Sequence, residues 1–316
     1  MKNLLIYINL VIFITVFSAC SDYNQFFAYD VNSDSFQFLN VYGPESIQMS
    51  IDQEKANSVI VSDSIILDIP KHTFVNHMGE LPDSEVNIVF KVYREIPSFI
   101  SSDLSFVLDA KRLIGVQSLF YINAFDSKGS PLFMAENKNL LIKYPVTNPA
   151  QEFDLFVPLY GEENELSQWI ETEEDIVINK VFKEEWILPN EEVSSGYIFR
   201  TDKMRWITMG YGISNDHKAL IEVESEGWVN AENSRVFVIS NEHKSLHKLE
   251  WNEERHAFCD LKGVMPVGST CKILFLGQNG DYFCGIEEML LNEENTIRLE
   301  IKQTNESAIL ELIETL

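Results

Sequence analysis

The chain has 316 residues, with 24 Lys or Arg and 49 Asp or Glu, which gives a formal net charge of −25 at pH 7. Such an acidic surface repels nucleic-acid phosphates and anionic lipid headgroups, which argues against direct binding to either. The acidic residues are dispersed along the chain, as expected for a solvated surface, and do not form one block for cations or a basic partner. The length is enough for about two domains.

The first twenty residues have the layout of a secretory signal peptide. A basic start precedes residues 4–17, which are apolar except for Asn9 and Thr15, and small residues then lead into Cys20. A membrane-spanning helix needs about 20 apolar residues, more than this interrupted run provides. Cleavage directly before a cysteine resembles the lipobox of bacterial lipoproteins. The resemblance implies a diacylglycerol thioether on Cys20 and a mature chain anchored by its first residue.

Other interpretations of this segment are an uncleaved anchor, cleavage by an ordinary signal peptidase, and a buried core helix. Ser21 follows Cys20, and the sorting pattern of such lipoproteins reserves retention in the inner membrane mainly for Asp at that position. The resemblance therefore implies the outer membrane and leaves the leaflet open, periplasmic or surface-exposed.

The segment after the anchor is unusually aromatic for a flexible tether. We expect its rings to pack on the first domain, with contact to a membrane interface or a partner as the alternative. The rings in question are Tyr23, Phe26, Phe27, Tyr29, Phe36, Phe38 and Tyr42.

From residue 46 onward the apolar residues recur with a period of two, which is typical of half-buried strands. Ile297, Leu299 and Ile301, for example, alternate with charged residues. Only 104–113 and 162–171 are interpreted as short helices. The runs that predict strands are 59–69, 86–93, 153–160, 196–200, 235–239, 271–276, 296–302 and 307–313.

Strands of this length between Gly, Asn, Asp and Pro turns predict an all-β chain. Its architecture is expected to be tandem antiparallel β-sandwich modules after an N-terminal signal helix. The predicted boundaries are a signal peptide at 1–19, an aromatic-rich tether at 20–45, a first β-sandwich module at 46–147, a second β-rich region at 148–225 and a C-terminal β-sandwich at 226–316.

An ordered set of strand and turn residues occurs between residues 58 and 146. It comprises 66–70 (Ile-Leu-Asp-Ile-Pro), Phe74, Gly79, 86–93, 123–126 (Asn-Ala-Phe-Asp), Gly129, Leu132 and 142–145 (Ile-Lys-Tyr-Pro). This set resembles the β-sandwich module shared by netrin receptors, ankyrins and zona-occludens proteins, which also occurs in envelope proteins of Gram-negative bacteria. The resemblance covers under a third of the chain. It implies a structural and interaction unit without catalytic residues.

Two further segments, 227–230 (Gly-Trp-Val-Asn) and 263–268 (Gly-Val-Met-Pro-Val-Gly), are similar to segments of uncharacterised bacterial lipoproteins. An Asp is expected shortly after the first segment, where this chain has Glu232. If that acid is functional, the longer side chain changes its geometry.

A search for catalytic motifs leaves little. The chain has no Gly-x-Ser-x-Gly nucleophile turn and no His-Glu-x-x-His zinc motif. Ser245 and Lys248 match Ser-x-x-Lys, but the companion motifs of that enzyme class do not follow. Five pairs or runs of adjacent acids are interpreted as a solvated rim, because general acid–base catalysis needs carboxylates in different, mostly buried environments. These acids are 171–175, 184–185, 191–192, 287–288 and 293–294.

The best metal candidate is the set His243, His247, His256 and Cys259. A spacing of four aligns His243 and His247 only on a helix, whereas these residues lie between predicted strands. We interpret them as solvated loop residues, and no catalytic, cofactor or metal residue is assigned.

Tryptophans and cysteines offer two further hypotheses. Trp169, Trp186, Trp206, Trp228 and Trp251 would stack on sugar rings if exposed, but their places in or beside predicted strands favour core packing.

The sequence 277–280 predicts a hairpin that sets Cys284 opposite Phe275, four residues from Cys271. Four residues of strand span about 13 Å, beyond the reach of about 7 Å for a disulfide. Buried free thiols are therefore expected, and pairing of Cys259 with Cys271 or Cys284 stays open.

These features predict a lipid-anchored, non-catalytic binding or scaffold protein of the bacterial cell envelope. Its expected partners are the membrane, through the lipid on Cys20, and an envelope protein or glycan. The alternatives are a glycan-binding surface lipoprotein and an envelope hydrolase whose residues converge from separate strands.

Overall fold

The structure, a computed structural model, describes residues 34–316 except for 62–63, 83–84, 110, 148, 150, 161–165, 173–179, 189–190, 215 and 226. The predicted signal helix, Cys20 and residues 20–33 of the aromatic segment lie outside the described residues. Within the described part, no helix is long and apolar enough to cross a bilayer.

The alternating apolar residues form strands throughout the described part of the chain. Strands β1 to β8 are Ile47–Asp52, Asn57–Ile60, Ile66–Ile69, Phe74–Val75, Glu85–Tyr93, Val107–Leu108, Arg112–Phe125 and Phe133–Met134. Strands β9 to β16 are Leu140–Pro145, Asp154–Tyr160, Leu166–Glu171, Val181–Ile187, Val193–Thr201, Arg205–Ile213, Lys218–Glu224 and Ser234–Ser240. Strands β17 to β23 are Ser245–Lys248, Glu250–Asn252, Ala257–Pro266, Thr270–Asn279, Asp281–Leu290, Glu294–Ile297 and Lys302–Thr304. The helices are a 3-10 helix at Asp34–Tyr42, α1 at Ile96–Ser101 and α2 at Glu306–Glu314.

Four main sheets build two sandwiches, so the prediction of an all-β fold is confirmed. Sheet 1 has the order β1-β5-β7-β14-β10-β11-β6 and packs on sheet 2, with the order β12-β13-β9-β3-β2. Sheet 3 (β18-β19-β15-β22) packs on sheet 4 (β17-β16-β20-β21-β23), and β4 pairs with β8 separately. The pairings are antiparallel except for β11 with β6 and β15 with β22.

The strands of the predicted second region, 148–225, are distributed among three sheets. Strands β10, β11 and β14 lie in sheet 1, β12 and β13 lie in sheet 2, and β15 lies in sheet 3. Strands β16 to β23, from the predicted C-terminal module, all belong to sheets 3 and 4. The boundaries drawn from the sequence stay a prediction.

Three apolar cores hold these sheets together. One lies between sheets 1 and 2 and includes Phe90, Phe120 and Phe199, and another lies between sheets 3 and 4. The third lies between the two sandwiches. It joins side chains of sheet 1 to side chains of sheet 4 and α2, among them Leu119, Trp206, Phe237, Leu276 and Ile309. Sheets 1 and 4 are therefore covered on both faces.

The rings of the aromatic segment that fall within the described residues pack against protein, whereas the sequence predicted packing on the first domain. Phe36 is buried and lies beneath the Arg235 guanidinium, 5.1 Å from the ring centroid. The rings of Phe38 and Tyr282 are 5.1 Å apart, and the Tyr42 hydroxyl donates to the Leu310 carbonyl. These partners belong to sheet 4 and α2, while the 3-10 helix also contacts α1. The segment thus packs on both sandwiches and not on the first alone.

The prediction of a strand at 307–313 is wrong, because this run lies in helix α2. Ile309 and Ile313 are four residues apart and both fully buried, which places them on one face of a helix. The Asn305 side chain accepts a hydrogen bond from the Ala308 N–H at 3.0 Å and caps the first turn. The alternation of apolar residues in this run was compatible with both structures.

The two predicted helices are also wrong. Residues 104–113 contain β6 and the beginning of β7. The Phe106 N–H donates to the distant Leu246 carbonyl at 2.9 Å, and Asp109 has a φ of +52°, which a helix does not contain. Within 162–171, β11 pairs with β10. The predicted strand 296–302 is interrupted, since 298–301 join β22 to β23. In the two predicted helices, non-local pairing overrides the local pattern.

Candidate functional site

The faces of sheets 2 and 3 that point away from the cores differ in chemistry. On sheet 3, the outward residues Glu222 and Glu224 lie near Glu250 and Glu294, and Leu220 is paired with Glu294. This acidic face is typical of a solvated surface. On sheet 2, the outward face has an apolar cluster of its own, formed by Ile66, Trp186 and Ile198 with Leu141 and Leu188 packed against them.

A groove of about 320 Å3 lies on this outward face of sheet 2. Strand register builds it, because Ile198 of β13 pairs with Phe182 of β12 on one side and with Lys143 of β9 on the other. Ile198 forms the floor, and Phe182, 37% exposed, forms one wall. The full lining is Leu141, Lys143, Phe182, Glu184, Ile198, Phe199 and Arg200.

Trp186 lies two residues from Glu184, on the same face of β12. The exposed fraction of Trp186 is 8%, and its indole N–H has no acceptor within the described residues. Gly196 follows on β13, where an added Cβ would collide with the Tyr144 carbonyl of β9. The glycine therefore allows β13 and β9 to approach closely at the end of the groove.

Charges of both signs surround the apolar floor. Lys143 Nζ lies 3.1 Å from Asp68 Oδ2, with both side chains about one quarter exposed. Arg200 Nη1 approaches Asn139 Oδ1 at 3.4 Å, and Glu184 lies on β12, two residues from Phe182. Two cationic and two anionic groups leave this part of the surface locally neutral, in contrast to the charge of −25 for the whole chain.

A second polar group joins the two sandwiches at their junction. The Ser105 hydroxyl lies 2.9 Å from His247 Nδ1, and His247 Nε2 lies 3.5 Å from Asp260 Oδ2. His247 and Asp260 are 7% and 3% exposed, and Ser105 is half-buried. A hydroxyl that donates to Nδ1 places the ring proton on Nε2, facing the carboxylate.

Asp260 is held by the bulged backbone of β19. Its carboxylate accepts hydrogen bonds from the N–H groups of Lys262, Gly263 and Val264 at 2.9–3.1 Å, and Gly263 supplies the φ of +62° that the bulge requires. Burial raises the pKa of the Asp260 carboxyl, but His247 and these N–H groups outweigh it, so the pKa lies below its ordinary value.

A serine, a histidine and an aspartate in this spatial order also form the catalytic triad of many hydrolases. The contacts of this group indicate a structural role. The two ring nitrogens are exchanged relative to such a relay, and the contact at 3.5 Å is not an aligned hydrogen bond. Ser105 Oγ also accepts the Lys248 N–H at 3.1 Å, and the Trp169 indole donates to the Ser105 carbonyl at 2.7 Å. The group therefore fixes the loop before β6 to the second sandwich.

The histidines considered as metal ligands do not converge. His243 approaches the Tyr211 hydroxyl at 3.3 Å, His256 lies beside Trp251, and His247 belongs to the junction. Within the described residues, no three His, Cys, Asp or Glu side chains are grouped as metal ligands.

The Ser-x-x-Lys match has no geometry for catalysis. Ser245 is fully buried at the beginning of β17, and the Lys248 ammonium lies 3.0 Å from Asp103. Residues three apart in a strand point to opposite faces, so these two side chains do not meet.

The prediction that the tryptophans pack in cores is confirmed. Trp169, Trp186 and Trp206 are buried. Half-buried Trp228 packs against Phe283 with the ring centroids 4.7 Å apart, and half-buried Trp251 packs edge-on against Phe258 at 5.1 Å. The acids interpreted as a rim are exposed wherever the structure describes them. These acids are Glu171, Glu184, Glu185, Glu191, Glu192, Glu287, Glu288, Glu293 and Glu294.

The cysteines after Cys20 are free, as predicted, with Cys259 and Cys271 buried and Cys284 half-buried. Burial raises the pKa of Cys271 to about 12, with a smaller contribution from Glu288. The predicted hairpin is present, but its register differs by one residue. Cys284 is opposite Leu276, because Gly280 alone forms the tip between paired Asn279 and Asp281.

The segment 227–230, which follows β15, builds a loop. The Asn230 side chain accepts the N–H groups of Glu232 and Asn233, and Asn233 donates to the Trp228 carbonyl at 2.8 Å. Glu232 contributes its backbone and leaves its side chain exposed.

Sequence reasoning missed Ser105, Asp260 and the groove residue Phe182. Ser105 and His247 are 142 positions apart, and no motif links them. A scan against protein-family models matches no family, and a search of the curated proteins finds no match to this chain.

Proposed function

We propose that this chain is a lipid-anchored, non-catalytic binding or scaffold protein of the bacterial cell envelope. The observation that carries the binding role is the groove between β9, β12 and β13, where apolar, aromatic and charged side chains share one outward sheet face. Ligand sites combine an apolar lining with a few convergent polar groups in this way.

The proposed anchor is the lipid on Cys20, and the proposed location is the outer membrane. Support comes from the basic start, the apolar run at 4–17, the small residues before Cys20, and Ser21 after it. Several acyl chains on one cysteine make a stable anchor, since each buried CH2 contributes about 0.8 kcal/mol. The sandwiches would then present the groove to an envelope partner.

Two measurements on the full chain in a Gram-negative host test this proposal. Mass spectrometry of the mature N-terminus is expected to find acylated Cys20, and Cys20→Ser is expected to leave the chain in the soluble fraction. A photo-crosslinking amino acid at Phe182 is expected to trap a discrete partner, whereas the same group at exposed Leu290 is not. An unmodified Cys20 contradicts the anchor, and recovery of the chain alone under every condition contradicts the binding role.

A second candidate function, hydrolysis of an acyl ester at Ser105, is favoured by the contact of 2.9 Å between its hydroxyl and His247. In that reaction Ser105 Oγ would attack the carbonyl carbon, its proton would pass to His247 Nδ1 and then to the leaving alcohol, and water would release the acyl group. An alkyl fluorophosphonate probe tests it. Labelling of Ser105, lost in Ser105→Ala, would replace the non-catalytic proposal, and no labelling would remove this candidate.

A further inference from the structure

We propose that the groove on sheet 2 binds a neutral glycan chain, with Phe182 as the stacking ring. This inference rests on the proposed binding function and names the ligand class. It does not use the tryptophans, which the structure buries or packs against neighbouring rings.

The first step is the shape of the apolar surface. The Phe182 ring is 37% exposed and stands beside Ile198, its register partner, with Leu141 nearby across β13. A sugar ring has one face of C–H groups, which packs on an aromatic ring and an aliphatic floor of this kind. The hydroxyl groups around the edge of the sugar ring then point toward the walls.

The second step is the charge of those walls. Among the lining residues, Lys143 and Arg200 are donors and Glu184 is an acceptor, while Asp68 lies outside the lining on the same face and pairs with Lys143. Hydroxyl groups both donate and accept, so a saccharide uses both kinds of group. An anionic polymer is disfavoured because the two cations are balanced locally and the whole chain carries −25.

The third step is size. A volume of about 320 Å3 is at the lower end of small-molecule sites. It accommodates one or two sugar rings of a longer chain.

Affinity electrophoresis of the full chain tests this inference. The probes are four neutral polysaccharides (β-1,4-glucan, α-1,4-glucan, xylan and galactomannan) and two acidic ones (polygalacturonate and hyaluronan). At least one neutral polymer is expected to retard the protein. Phe182→Ala is expected to weaken that binding roughly tenfold, because the stacking ring is lost, and Phe182→Tyr is expected to retain it. Leu290→Ala, at an exposed leucine of β21, is the matched control and is expected to bind like the parent chain.

Retardation by none of the neutral polymers, retardation by the acidic polymers alone, or equal binding by Phe182→Ala overturns the glycan assignment. Phe182→Leu separates ring stacking from apolar bulk, since equal binding by this variant also contradicts a stacking role. The crosslinking experiment at Phe182 distinguishes this failure from failure of the binding function. A trapped envelope protein together with no glycan binding would reject the glycan and retain the binding role, whereas two negative results would reject both.

Discussion

Asp260 is a carboxylate almost completely removed from water, and its pKa links the junction to pH. The folded-state pKa lies below the value of about 3.9 for an unfolded Asp. The stabilisation it provides is therefore fully present above about pH 4 and is lost as the pH falls through the lower, folded-state pKa. Above about pH 4, His247 and three backbone N–H groups stabilise the negative charge of the buried Asp260 carboxylate.

We expect Asp260→Asn to lower the free energy of unfolding by about 3 kcal/mol at pH 7, since it removes one partner of a buried pair. The loss is expected to be smaller near pH 3, because the carboxyl of the unfolded chain is protonated there and the linked stabilisation of the wild-type chain has begun to decline. Urea unfolding of the parent chain and of Asp260→Asn at pH 7, 5 and 3 measures the loss of stability at each pH. Asp281→Asn, at an exposed Asp of β21, is the control and is expected to change stability by less than about 0.5 kcal/mol. An equal loss for Asp260→Asn at all three pH values would contradict the assigned pKa.

Single residues were predictable from the sequence where local pattern decides their environment. The cysteines and tryptophans lie in or beside alternating runs, and their packing follows from that position. Ser105 and Asp260 carry no such signal, because a serine before a strand and an aspartate within one are ordinary residues until the chain brings them to His247. The lining of the groove depends in the same way on the register of β12, β13 and β9.

At the scale of elements, a single glycine, Gly280, forms the tip of the β20–β21 hairpin. Gly280 has a φ of +74°, which a residue with a Cβ adopts at a cost of about 1–2 kcal/mol. An added Cβ meets nothing within 4 Å at Gly280 or at Gly227, and only Gly280 has a positive φ. Comparing the two positions therefore isolates the effect of backbone strain, because an added Cβ clashes at neither of them.

Gly280→Ala is expected to lower the free energy of unfolding by about 1 kcal/mol, and Gly227→Ala is the matched control, expected to be nearly neutral. Thermal unfolding of both variants against the parent chain measures the difference. Equal effects in the two variants would show that the hairpin does not depend on the left-handed conformation at its tip.

The type of an element was predictable where the alternation of apolar residues is long, as in 86–93, which forms a strand between two partner strands. They were not predictable in short apolar runs. The run 307–313 fits strand and helix alike, and the deciding features are the cap at Asn305 and the burial of Ile309 and Ile313 four residues apart. The run 104–113 has helical composition, but its backbone pairs with the second sandwich. Both outcomes depend on contacts distant in the sequence.

At the scale of the whole molecule, the third core joins side chains of the two sandwiches in one apolar cluster. This core was not predictable from the sequence. A strand buried on both faces has a continuous apolar run, and such a run does not show which element covers each face. Leu276 of β20 is fully buried in this core, together with Leu119 and Trp206 of the first sandwich. Removing its side chain therefore affects contacts that neither sandwich makes alone.

We expect Leu276→Ala to lower the free energy of unfolding by about 3 kcal/mol, the usual range for a buried leucine, and to keep a single transition. Hydrogen exchange is expected to show equal loss of protection in β13 of sheet 2 and in β20, because both sandwiches open together. Leu290→Ala, at a leucine that is 59% exposed in the same sheet, is expected to change stability by less than about 0.5 kcal/mol. Loss of protection in β20 while β13 stays protected would contradict the single unit, because the first sandwich would then be stable without the core that it shares with the second.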